Sequence, residues 1–186
     1  PVEALFTCDE ETGMTGAFGL KSGLLNGDIL LNLDSEDEGE LYVGCAGGTN
    51  ANATFSYSEE KVNPGVASFK LAITGLKGGH SGLEIILQRG NSNKLMNRFL
   101  QHTVVKYGVR LSSIEGGSLR NAIPRESFAV VTVPPSKADD LVKCVTEYEK
   151  LYRSELSATE PDLKFTISAT STPNTVIDAA SLDKAM

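Results

Sequence analysis

The stretch Val66-Ala67-Ser68-Phe69-Lys70-Leu71-Ala72-Ile73-Thr74-Gly75 alternates cleanly between apolar and polar positions, the pattern of a strand with one covered and one wet face. The period then changes. Leu95, Met96, Phe99, Leu100 and Val104 share one stripe between positions 93 and 106, and Gly108 ends it, so a helix follows the strand. Residues 109–114 and 127–133 read as two more strands, the second stopped by Pro134-Pro135, since proline cannot donate to a ladder. Ser136 is placed to cap a long helix running to about residue 157, with Leu141, Val145, Tyr148 and Tyr152 as its apolar stripe. Residues 163–169 alternate once more.

The order over residues 66–169 is therefore β-α-β-β-α-β, the split arrangement of a ferredoxin-like α+β sandwich with two helices on one face of an antiparallel sheet. Upstream the pattern differs. Apolar runs at residues 2–8 and 29–33 read as strands, and Ala17, Leu20 and Leu24 give helical spacing over residues 15–25. A strand-helix-strand crossover makes its strands parallel, and ligand sites form at the C-terminal edge of such sheets. A third apolar run ends in Gly44-Cys45-Ala46-Gly47-Gly48. The expected boundary lies there, giving an α/β lobe over residues 1–47 and an α+β lid over residues 48–186. Asp178 with Ala179 and Ala180 reads as the opening of a further helix.

The 186 residues carry 17 Lys and Arg against 24 Asp and Glu, a net charge of −7. With no basic run, nucleic acid is not an expected partner. No segment approaches the roughly 20 apolar residues of a membrane span. Cys8, Cys45 and Cys144 are odd in number and far apart, which suits reduced thiols in the cytoplasm. The start Pro1-Val2-Glu3 is neither a signal peptide nor a natural initiation, so the chain is expected to be a piece of a longer protein.

Both predicted strands of the first lobe end in acids, Asp9-Glu10-Glu11 and Asp34-Ser35-Glu36. Carboxylates converging on one sheet edge repel unless a cation sits between them. Neighbouring Glu side chains on a loop diverge, so one can hold a metal while the other serves as general base. Asp34-Ser35-Glu36-Asp37-Glu38-Gly39 imitates the start of a calcium loop, but Cys45 stands where a bidentate Glu is required. In Gly75-Leu76-Lys77-Gly78-Gly79-His80-Ser81-Gly82 the spacing fits neither a phosphate loop nor a nucleophile elbow. Its glycines instead present His80 as a donor to a carbonyl or oxyanion. His102, within the helix pattern, reads as structural. In Gly116-Gly117-Ser118-Leu119-Arg120-Asn121-Ala122-Ile123-Pro124-Arg125, Asn121 offers donor and acceptor together.

In this order the four segments resemble the dinuclear zinc exopeptidases of the carnosinase type, most closely their aminoacyl-histidine dipeptidase branch. The resemblance implies a partial zinc-exopeptidase catalytic lobe followed by a ferredoxin-like lid. It implies a cytoplasmic metallopeptidase that hydrolyses Xaa-His dipeptides with metal-activated water. Two zinc ions are implied as cofactors, with manganese or cobalt as alternatives. Glu10 is then the general base, Glu11 and Asp34 are metal ligands, His80 reaches a substrate carbonyl, often across a dimer interface, and Asn121 binds substrate. A homodimer through the lid is implied as well. The family's upstream His-x-Asp segment, its bridging Asp and its final His have no counterpart here, so this chain alone is expected to hold little or no metal and to lack activity. Two other readings stand beside it: a non-catalytic ferredoxin-like dimerisation module, and a related metal-dependent amidase or deacylase.

Overall fold

The computed structural model describes residues 2–35, 37–45 and 47–185. The chain divides into two units, Pro1–Ala53 and Thr54–Met186. Regular structure among the described residues of the first unit is one short helix, α1 (Thr15–Phe18). This corrects the expected strand-helix-strand lobe at the level of its elements. The apolar runs at 2–8, 29–33 and 41–45 form no ladder, and Phe6 and Leu33 are 91% and 90% exposed. A strand is stable only when a neighbour takes its N–H and C=O groups, and no described segment does so. The helix is shorter than its apolar spacing predicts because Gly19 caps it and Gly23 has a φ of 79°, which a right-handed helix cannot contain.

The second unit runs β1 (Glu59–Lys61), β2 (Ala67–Thr74), α2 (Ser92–Tyr107), β3 (Arg110–Gly116), β4 (Ser127–Val133), α3 (Ala138–Glu155), β5 (Lys164–Ala169), β6 (Thr175–Ile177) and α4 (Ala179–Ala185). Four strands form one antiparallel sheet in the order β3-β4-β2-β5. With α2 and α3 this is the ferredoxin-like sandwich the β-α-β-β-α-β order predicts. Leu71 and Ile73 of β2 are fully buried and join Met96, Phe99 and Leu100 of α2 and Leu141, Val145 and Tyr152 of α3 in a single core. On the other face the Lys70 ammonium lies 5.0 Å from the Phe128 ring centroid.

The caps explain where the helices begin and end. The Asn91 side chain accepts the Lys94 N–H, and Gly108 closes α2 with a φ of 69°. Ser136 does not cap α3; it sits in a 3-10 turn, Pro135–Lys137, and Asp139 and Asp140 supply negative charge to the first turn instead. Asp178 caps α4 by accepting from the N–H groups of Ala180 and Ser181. The β1–β6 ribbon is too short to show a period in sequence. Arg110 grips it with one nitrogen on Glu60 and another on the Ile177 carbonyl, each at 2.7 Å.

An aromatic cluster fills the core. The Phe99 ring meets Phe165 and Tyr148 edge-on at 4.8 and 5.1 Å. Tyr152 is fully buried, and its hydroxyl donates to the Leu95 carbonyl at 2.7 Å, tying α3 to α2. Burial pushes that hydroxyl well above its ordinary pKa of 10. Tyr152→Phe removes this bond between the two helices, while the Leu95 carbonyl keeps its own helical partner in α2; the loss is expected to cost about 1 kcal/mol, read from the midpoint of urea unfolding.

Candidate functional site

The first unit carries the predicted carboxylates on a tight loop. Asp9 has a φ of 66° and collects the hydroxyls of Thr12 and Thr15 on its carboxylate, the latter at 2.8 Å. Its carbonyl accepts the N–H of Gly13 at 3.1 Å. The loop then turns back so closely that a Cβ on Gly16 would collide with the Cys8 backbone. Glu10 and Glu11 sit at the tip of this turn with exposed side chains. Asp34 is exposed on a separate segment, its N–H donating to the Asn32 side chain at 3.3 Å. Among the described residues no three His, Cys, Asp or Glu side chains come together as a metal site. The donors present are oxygen ligands that zinc accepts, but a zinc shell needs about four ligands. The residues of this chain therefore do not by themselves fit the implied metal pair. Among the described residues no paired sheet edge aligns Asp34 with Glu11.

The second unit does bring its two predicted residues together. The loop after β2 and the loop between β3 and β4 zip into a short antiparallel bridge at His80 and Ala122. The Ser81 N–H donates to the Asn121 carbonyl and the Ile123 N–H to the Gly79 carbonyl, both at 2.8 Å. His80 is exposed at the end of this bridge, and Asn121 is half-buried. Beside them opens a cleft of about 580 Å³ lined by Gly78, Gly79, Glu115, Ser118, Arg125 and Phe128, among others, a volume suited to a small ligand.

The state of the His80 ring follows from its neighbours. Nδ1 accepts the N–H groups of Gly82 and Leu83 at 3.0 and 3.1 Å. A nitrogen that accepts carries no proton, so the neutral ring holds its hydrogen on Nε2. That nitrogen is then a directed donor, the equipment for polarising a carbonyl or receiving an oxyanion.

Two residues outside the sequence reading hold the loop. Glu84 accepts the His80 N–H at 2.7 Å and pairs with Arg89 at 2.9 Å, while Arg89 donates to the Gly78 carbonyl at 2.6 Å. A Cβ on Gly79, whose φ is 132°, would run into both of these side chains. Only glycine therefore lets the clasp close. The i,i+4 spacing of His80 and Glu84 was the available signal, but it points to a helix pair, whereas here it closes a turn. The His80 N–H holds the Glu84 carboxyl below its ordinary 4.5; partial burial opposes this and Arg89 adds to it. A carboxyl lowered by folding contributes stability above its unfolded pKa and loses it as pH falls through the folded value. The side-chain carboxyl carbon signal of Glu84 is thus expected to titrate below the ordinary 4.5, and the clasp to lose its contribution to stability only as pH falls through that lowered value.

A ferredoxin-like lid with a glycine-presented histidine beside an asparagine loop is the class of domain these features define. The family model described as the peptidase dimerisation domain matches residues 63–160, and the chain belongs to that family. It is 44% identical over 183 residues to the cytosol non-specific dipeptidase of Escherichia coli (strain K12), covering 98% of this chain and 38% of that protein. The crystal structure of aminoacylhistidine dipeptidase from Vibrio alginolyticus superposes with a TM-score of 0.77 at 41% identity, covering 96% of this chain and 36% of the other. The chain thus spans little more than a third of the relatives it matches.

Proposed function

We propose that this chain is the lid and part of the catalytic lobe of a metal-dependent dipeptidase that cleaves Xaa-His and similar dipeptides. The observation that carries the reading is His80, its Nδ1 tied to two backbone N–H groups and its Nε2–H left to donate beside Asn121. The likeness to two dipeptidases across nearly the whole chain supports it. Residues 1–47 belong to the catalytic lobe and residues 48–186 to the lid.

In this reading the substrate lies against the Gly78–Phe128 cleft with its scissile carbonyl toward His80 Nε2–H. Asn121 orients the dipeptide through its amide. Glu10 takes a proton from the attacking water and passes it to the leaving amine. Glu11 and Asp34 contribute carboxylates to a centre completed by further ligands, where two metal ions, zinc first among the candidates, would supply an activated water and Lewis acidity. In this reading the protein acts in the cytoplasm as a homodimer formed through the lid. No described helix is long and apolar enough to cross a membrane.

The test uses the full-length protein that carries this chain. Chelation is expected to stop hydrolysis of Xaa-His dipeptides, and added zinc to restore it. Undiminished turnover in protein shown to be metal-free sinks the reading and favours a non-catalytic dimerisation module. The 186-residue chain alone is expected to show no stoichiometric zinc binding by calorimetry, since no three ligating side chains gather among its described residues.

A further inference from the structure

Glu160 is 99% removed from solvent, with a relative exposure of 1%. A carboxylate so deeply placed needs partners for both oxygens. It finds them at the two ends of one loop: Oε2 accepts the Lys77 N–H and Oε1 the Gly90 N–H, each at 2.8 Å. Between those two amides lies the whole segment that carries His80 and the Glu84–Arg89 clasp. Glu160 itself is fixed just beyond α3, its N–H donating to the Leu156 carbonyl at 2.7 Å and its own carbonyl accepting from Leu163 at 3.3 Å. The side chain thus acts as a cross-link between a rigid helix end and both feet of the histidine loop.

We infer that Glu160 is a positioning residue for His80, its buried carboxylate holding the two feet of the loop at the separation from which Nε2 can reach a substrate carbonyl. The inference rests on the role given to His80 above. The chemistry of the site selects a carboxylate: two main-chain donors converge on it, and only a group with two acceptor oxygens satisfies both. Glutamine has the same shape but turns an NH2 toward one of the two N–H groups, so one foot of the loop is released. Closing a loop at both feet restricts the directions its tip can take, and a displacement of about 1 Å at a donor is enough to cost about 10²-fold in rate.

The experiment has two readouts. In the 186-residue chain, Glu160→Gln is expected to speed hydrogen exchange at Lys77 or Gly90 by about 10-fold or more, with the amides of Leu71 and Val131 in the sheet unchanged. The imidazole nitrogen spectrum is expected to show the Nε2–H form of His80 giving way to a mixture. In the full-length protein, kcat for dipeptide hydrolysis is expected to fall about 10-fold or more with little change in KM. The same substitution in a His80→Ala background is expected to cost almost nothing further, because a residue that acts only through His80 has nothing left to position. Equal losses in both backgrounds, or unchanged exchange and tautomer in Glu160→Gln, overturn the inference. Full activity of His80→Ala overturns the reading of His80 itself, a separate and recognisable result. If Glu160→Gln does not fold, Glu160→Asp, which keeps the charge but is too short to span both amides, gives the same comparison.

Discussion

Glu10→Gln is expected to lower the turnover of dipeptide hydrolysis in the full-length protein by about 10²- to 10⁴-fold, the range for loss of a general base. Glutamine keeps the size of the side chain and its capacity for hydrogen bonds but cannot take a proton. The loop around it does not depend on Glu10. Asp9 holds that turn, through the hydroxyls of Thr12 and Thr15 and the N–H of Gly13, and the Glu10 side chain is exposed. The substitution therefore leaves the backbone in place, and the loss is expected in kcat with bound metal unchanged. Glu11→Gln separates the two roles, since a ligand lost at that position lowers metal content first. Metal analysis beside steady-state kinetics reads both, and an unimpaired Glu10→Gln protein removes the base assignment.

The second large effect is expected at His80. His80→Ala removes a donor whose direction is set by two backbone N–H groups on Nδ1, and kcat is expected to fall about 10²- to 10³-fold. The charge on a carbonyl oxygen grows toward the transition state, so a donor aimed at it acts mainly on kcat and little on KM. The Gly82 and Leu83 amides that lose their acceptor are exposed and can turn to water, while the Glu84–Arg89 clasp still braces the main chain. Thermal unfolding is therefore expected to stay near that of the parent chain while activity collapses. If the unfolding temperature drops in step with activity, the residue is a structural one.

The lid was legible in sequence because its information is local. Alternation in residues 67–74, the apolar run of residues 127–133 stopped by Pro134-Pro135, the apolar stripe from Leu95 to Val104 and the capping glycine at 108 each state a period or a stop within a few residues, and the observed elements follow within a few positions. The exceptions mark where local signals run out. Ser136 has the chemistry of a cap, yet the chain folds a 3-10 turn there. The β1–β6 ribbon joins segments about 116 residues apart with three residues each, too few to show alternation. In the first unit the apolar runs have strand composition but no ladder among the described residues, because a strand is defined by its neighbour as much as by its own residues.

Sequence by itself determined the β-α-β-β-α-β order, the candidate residues Glu10, Glu11, Asp34, His80 and Asn121, and the family they resemble, since each depends on residue type, spacing or motif along the chain. Tertiary structure decided what local spacing could not encode. It laid the His80 loop against the Asn121 loop, set the His80 hydrogen on Nε2, recruited Glu84 and Arg89 as a clasp, and brought Glu160 to amides 70 and 83 residues away. Hydrogen bonds are short and directional, and which donors meet which acceptors is settled only when the sandwich has closed.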